Sequence, residues 1–275
     1  MTFFITEMNL KFSDNDQKTI ESKINNDTIE MFKKYLTPEN KIKLNRYNLV
    51  ITGTVGSGKS TICESLAYIF RICDLKTNNF PEFLFIDDAL SKSVLKKKIN
   101  EEISTSTFQS YILDNWEKIL NENQEKSGLN LFERCVDDSV ICFCNIANKN
   151  DDLTEIQLLS LFERLKNINK KYSMPSYFDK NVHFTEIQSS DLNFNLTQIL
   201  DIIKSDMKTN ITMRIIGLSV SDYDSKARIQ SRARDGEDGY SMDIIRTFNS
   251  HYKKLFKHLG KHKSFNRFVD MGKLL

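Results

Sequence analysis

Proline and glycine are scarce in this chain, three of one and nine of the other in 275 residues. No low-complexity linker and no internal repeat breaks it up, which excludes a repeat array. No apolar run approaches membrane-spanning length, so no membrane association is expected. The start, Met1 to Glu7, lacks a basic region ahead of its short apolar run, and no secretory leader is expected. Nor is there a C-x-x-C pair among the five cysteines, Cys63, Cys73, Cys135, Cys142 and Cys144. An odd count without a leader predicts reduced thiols in a cytoplasmic setting. Cys142 and Cys144 lie two apart and are expected on one face of a strand, as small core residues rather than metal ligands. An excess of one charge is missing too. The net charge of +2 argues against a dedicated nucleic-acid binder, and no direct nucleic-acid contact is expected. The basic runs at 96–98 and 257–263 read as solvated faces. Hydrophobic content of 40% and charged content of 28% are ordinary for a soluble globular protein.

What is present is a phosphate-binding signature. Leu49-Val50-Ile51-Thr52 is an apolar strand pattern that runs into Gly53-Thr54-Val55-Gly56-Ser57-Gly58-Lys59-Ser60-Thr61. This is G-x-x-x-x-G-K-S, and a helical pattern follows over residues 59–70. Glycines let the backbone curl so that its N–H groups face phosphate oxygens. Lys59 can reach the β- and γ-phosphates, and the Ser60 hydroxyl can ligate Mg²⁺. The helix behind the loop adds its positive N-terminal end. The loop predicts a bound nucleoside triphosphate without saying what is done with it.

Strand and helix patterns alternate along the rest of the chain, which predicts a parallel α/β sheet. Residues 1–45 read as a helical extension, with Ile20, Ile24, Met31 and Phe32 at roughly helical spacing, and 46–275 as the main domain. Strands are expected at 47–52, within 80–86, from 129 to about 134, and at 211–218, with a last possible one at 267–271. Helices are expected over 107–120, where Phe108, Tyr111, Ile112, Trp116 and Ile119 mark the buried face, and from about 154, with Leu158, Leu161, Phe162, Leu165 and Ile168 on one stripe. Residues 173–195, with Pro175 and many polar side chains, read as an inserted loop.

Three further clusters carry chemistry. Phe80-Pro81-Glu82-Phe83 is followed by Asp87-Asp88, and a carboxylate near a strand end can accept a proton from an attacking hydroxyl. Glu82 is the first choice, with Asp87 or Asp88 as rivals; a solvent-facing acid is the plain alternative. Glu133-Arg134-Cys135 offers an acid for a Mg²⁺ shell and a guanidinium for a phosphate, or a local ion pair. Lys226 to Asp238 holds Arg228, Arg232 and Arg234 and breaks at Gly236. Guanidinium groups on such a turn could close over phosphates, and the plain alternative is a solvated basic helix end.

In order and spacing these clusters resemble the deoxynucleoside kinase family, which includes many thymidine kinases of viral and animal origin. The resemblance spans about residues 47–259. It implies a P-loop kinase fold: a five-stranded parallel sheet flanked by helices, with an arginine-rich lid. It also implies roles. Glu82 would be the catalytic base. Phe108-Gln109 matches the family's F-Q motif, whose Gln reads the nucleobase. Glu133 would assist Mg²⁺ beside Ser60, and Arg134 would lie by the 5′-hydroxyl and phosphate. Phe143, ten residues after Glu133, would stack on the base. Arg228, Arg232, Arg234 and Glu237 match the lid motif, whose Glu contacts the sugar. Phe83, Asp87, Lys98 and Cys135 depart from the family's usual residues.

The implied activity is transfer of the γ-phosphoryl group of ATP, with Mg²⁺, to the 5′-hydroxyl of a deoxynucleoside, thymidine or another pyrimidine favoured. A homodimer is the implied assembly. Two alternatives stay open: a nucleoside monophosphate (thymidylate) kinase, and a degenerate kinase kept as a nucleotide-binding interaction protein.

Overall fold

Leu49, Val50 and Ile51 are all buried, the pattern of a strand covered on both faces. They form the centre of β1 (Asn48–Gly53) in a computed structural model that describes residues 14–80, 94, 96–98, 100–123, 127–179, 181–232 and 240–261. Four strands join it: β2 (Thr77–Phe80), β3 (Leu129–Glu133), β4 (His183–Gln188) and β5 (Met213–Ser219). The order is β2-β3-β1-β5-β4 and every pairing is parallel. β1 is thus the inner strand from which neighbours extend both ways, and the crevice at its C-terminal end is where ligands bind in open α/β sheets.

The helices are α1 (Asp14–Glu21), α2 (Asn26–Tyr35), α3 (Pro38–Lys43), α4 (Lys59–Ile72) and α5 (Thr105–Asn123). After β3 come α6 (Val136–Asp138), a π-helical segment (Ser139–Cys144), α7 (Asn145–Lys149) and α8 (Glu155–Tyr172). Then follow α9 (Leu192–Thr209), α10 (Asp222–Arg232) and α11 (Met242–Lys261). Among the described residues no helix is long and apolar enough to cross a membrane.

Side-chain alternation along β1 sorts the interior into two cores. Leu49 and Ile51 face α2, α4 and α9, beside Phe32, Leu66, Phe70 and Leu200. Val50 faces the other side with Leu113, Trp116, Val140, Leu165 and Phe256. The N-terminal helices are a working part of the first core. Ile20, Ile24, Ile29, Phe32, Leu36 and Leu44 are buried there, and the Phe32 ring meets Phe70 edge-on at 6.1 Å. Asn25 caps α2 by accepting from the Thr28 amide at 2.8 Å, and Asn193 of α9 accepts from the Asn25 amide at 2.9 Å. Below the sheet, buried Asp206 of α9 pairs with Arg214 of β5 and accepts from the Tyr47 hydroxyl at 2.6 Å.

Several expectations change. The second strand is described over Thr77–Phe80 and so begins before residue 80; residues 81–86 fall outside the described residues. Cys142 and Cys144 are helical, in the π-helical segment, and not on a strand. Val140, Ile141, Cys142 and Cys144 are all buried, and a short apolar run buried all round looks alike as strand or helix. The segment 173–195 is not one loop: it contains β4 and the start of α9. β4 is an edge strand with one buried residue, Ile187, so the apolar signal that marks inner strands is missing from it. The possible strand at 267–271 lies outside the described residues.

Phe32→Ala should lower stability by about 3–5 kcal/mol, the usual range for emptying a core aromatic site. Urea unfolding followed by circular dichroism measures it. A change within the scatter of surface variants would mean that the N-terminal helices do not belong to the core.

Candidate active site

The loop that leaves β1 is shaped by two glycines. Gly53 has φ +145°, and a Cβ on it would sit 2.4 Å from the Leu218 carbonyl oxygen of neighbouring β5. Gly56 has φ +74°, and a Cβ there would meet the Ser225 carbonyl oxygen at 2.7 Å. Any side chain would force these elements apart. Gly58 then forms the N-cap of α4 with no side-chain cap, so no side chain of the cap competes for the N–H groups of the first turn. Lys59 is buried and folds back, its Nζ donating to the Thr54 carbonyl at 2.8 Å. Thr54 Oγ1 and Ser57 Oγ are buried hydroxyls with no hydrogen-bond partner among the described residues, a feature expected of a loop built for a ligand.

The end of β3 comes alongside. Glu133 is in register with Ile51, and its Oε1 accepts from the Ser60 hydroxyl at 2.6 Å. Arg134 takes a left-handed conformation, φ +74°, while its amide still donates to the Ile51 carbonyl. That turn lets two adjacent side chains serve different places. Arg134 Nη1 donates to the Gly53 carbonyl at 2.8 Å and to the Tyr252 hydroxyl at 2.6 Å. Its guanidinium carbon lies 5.2 Å from the centre of the Phe143 ring, within cation–π range.

α10 packs on the loop from the other side. Ser225 Oγ donates to the Val55 carbonyl at 2.6 Å. Arg228 Nη1 donates to Ser189 Oγ at 3.0 Å and, at 3.4 Å, to the Gly56 carbonyl. Ser60, Glu133, Arg134, Phe143 and Arg228 are therefore joined to the loop or to one another. Gln109 is buried on α5 with its Oε1 unpartnered among the described residues, beside half-buried Phe108. Glu82, Arg234 and Glu237 lie outside the described residues, as does the side chain of Arg232.

Sequence reasoning missed the residues beneath this surface. Asp138 is buried, and its Oδ2 accepts from Thr52 Oγ1 at 2.9 Å and from the Cys135 amide at 2.8 Å. Its Oδ1 accepts from the Tyr177 hydroxyl at 2.8 Å and the Tyr252 hydroxyl at 3.1 Å. Neighbouring Asp137 accepts from Asn169 Nδ2 at 2.7 Å, from Ser176 Oγ at 2.8 Å and from the Tyr177 amide. Ser189, Ser225, Tyr177 and Tyr252 sit in no motif, so only the fold could find them. Burial pushes the Cys135 and Cys142 thiols well up and that of Cys144 to about 12, which keeps all three protonated.

A glycine-rich loop at the end of the central strand, backed by a helix N-terminus, places the chain among the P-loop nucleotide-binding α/β proteins. Comparison with known proteins narrows this. The sequence model of the deoxynucleoside kinases matches residues 49–185. A curated relative, an adenylate kinase isoenzyme 6 homolog from Plasmodium falciparum (isolate 3D7), is 27% identical over 190 residues, covering 66% of this chain and 92% of the relative. Two similar solved structures are of deoxyadenosine kinase from M. mycoides. The one with bound dCTP is 17% identical with a TM-score of 0.48, covering 82% of this chain and 96% of the other. The one with bound dATP is 18% identical with a TM-score of 0.47, covering 77% and 84%. The chain belongs to the deoxynucleoside kinase family, the ATP-dependent nucleoside kinases.

Burial pushes the Asp137 carboxyl up from 3.8 to about 6, against the three donors that favour its charged form. The stability carried by its neutral form is therefore complete below about pH 4 and is lost as pH rises through about 6. Asp137→Asn removes that titration. Between about pH 4 and pH 7 the urea midpoint of the wild type should fall relative to that of the variant. A wild-type midpoint that rises relative to the variant over this interval would show the opposite sign of shift.

Proposed function

We propose that this protein transfers the γ-phosphoryl group of ATP to the 5′-hydroxyl of a deoxynucleoside, with thymidine or another pyrimidine as the favoured acceptor. The observation that carries the reading is the meeting of Ser60 and Glu133, 73 residues apart, at 2.6 Å beside the loop. Family membership supports the same reading.

The loop amides and Lys59 would bind the β- and γ-phosphates. Ser60 and Glu133 present two hard oxygens side by side, a donor set that suits a small divalent cation. Mg²⁺ held there would supply charge neutralisation for the phosphates. Arg134, and Arg228 with the other lid arginines Arg232 and Arg234, would stabilise the charge of the phosphoryl group in transfer. Lys59 leaves its bond to the Thr54 carbonyl when it takes a phosphate oxygen. Glu82 would accept the hydroxyl proton. Gln109 would read the base edge, and its buried Oε1, unpartnered among the described residues, supports that role, because such an atom costs free energy until a donor arrives. Phe108 and Phe143 would enclose the ring, and Glu237 would meet the sugar. Closure of the lid would exclude water and protect ATP from hydrolysis.

A second reading has one observation in its favour. The likeness to an adenylate kinase homolog fits an acceptor that is already a nucleoside monophosphate. Incubation with labelled ATP, Mg²⁺ and a panel of deoxynucleosides and their monophosphates separates the two by product. Folded protein that binds ATP and phosphorylates no nucleoside would refute the first reading. Glu82→Gln should keep ATP binding and lose turnover by about 100-fold or more, the scale of general-base catalysis. If Asp87→Asn abolishes turnover while Glu82→Gln does not, Asp87 is the base.

A further inference from the structure

We infer that Tyr252 is a positioning residue for Arg134, and that Asp138 acts with it. The inference rests on the proposed role of Arg134 at the phosphoryl group. Arg134 is buried, and its Nη1 donates to two neutral oxygens, the Gly53 carbonyl and the Tyr252 phenol. The phenol in turn donates a hydrogen bond to Asp138 Oδ1 at 3.1 Å. The negative charge of Asp138 thus reaches the guanidinium through one hydroxyl. Burial holds the Tyr252 phenol well above its ordinary pKa, so it remains a donor at working pH.

The anchor is rigid on its far side. Thr52, the Cys135 amide and Tyr177 also donate to Asp138, which fixes its carboxylate to β1 and to the chain that leaves β3. Tyr252 brings in a different part of the molecule. It stands on α11, the helix after the arginine-rich turn, 118 residues from Arg134. Two bonds to one nitrogen set the direction of the guanidinium plane. Without the phenol, Nη1 keeps the Gly53 carbonyl but loses the bond that ties it to α11. A displacement of about 1 Å at a catalytic group is enough to cost on the order of 100-fold in rate. The consequence is a mechanical link from the helix behind the lid to the edge where the phosphoryl group would pass.

Tyr252→Phe removes one oxygen and leaves the ring that packs on Phe256 at 5.6 Å, so the fold should persist. With ATP and the best acceptor, kcat should fall on the order of 10- to 100-fold while KM for ATP stays unchanged. In an Arg134→Lys background the same substitution should have little further effect, because the two residues act as one unit. Losses that multiply, or an unchanged kcat, would overturn the inference. A second measurement is independent of turnover. In ¹⁵N spectra of the arginine side chains, the Arg134 guanidinium protons should exchange slowly in the wild type and fast in Tyr252→Phe. Equal exchange in both proteins would also overturn it. A wild type with no phosphotransfer refutes the proposed function instead, and the exchange measurement still decides the position of Arg134.

Discussion

One buried carboxylate organises the C-terminal edge of the sheet. Asp138 is almost completely shielded from water, and a charge in that position is tolerable only when donors surround it. Its oxygen and nitrogen donors come from β1, from the turn after β3, from the loop after α8 and from α11, and the Cys142 thiol of the π-helical segment adds a longer contact at 3.9 Å. Each donor is an obligation on the element that carries it. The ends of the central strands, the loop at 173–179 and the last described helix are held together by the solvation of one group. The free energy of any single bond is small, and leaving one unmade is expensive.

On this base stands the phosphate loop. Gly53 is squeezed against the Leu218 carbonyl, and its own carbonyl is bound by Arg134, so the loop departs from β1 at one defined angle. Ser225 and Arg228 then hold the Val55 and Gly56 carbonyls from α10. Contacts to the loop come from β1, β3 and α10 together, and α11, the next described helix, returns to the base of the loop through Tyr252. In phosphoryl transfer the protein contributes position and electrostatics more than covalent chemistry. A site of that kind depends on how firmly its cations are held.

Much of the fold was legible because its signals are local. The P-loop, β1, α4, α5 and α8 all follow from periodicity and glycine placement. The failures have physical causes. β4 carries one buried residue and reads as a loop, and its place at the sheet edge comes from pairing with β5. The apolar run Val140 to Cys144 resembles a strand because it is buried on nearly every side. Residues 1–45 read as a helical extension, and what its helices pack against was not legible because each is short and largely polar by itself. Phe32 and Leu44 reveal their importance only against α4 and α9.

The site divides in the same way. The sequence by itself determined the loop, the Glu133-Arg134 pair and the arginines of α10, because backbone curvature and charge at fixed spacing are properties of neighbouring residues. Only the tertiary structure decided what those groups touch. Glu133 turns to Ser60 while Arg134 turns to Gly53, through a left-handed φ that no sequence pattern announces at an arginine. Tyr177, Ser189, Ser225 and Tyr252 look like ordinary side chains until folding brings them to the loop or to the carboxylate beneath it. The reason is distance along the chain: Tyr252 and Arg134 are 118 residues apart, and a hydrogen bond of that separation exists only after both cores have formed.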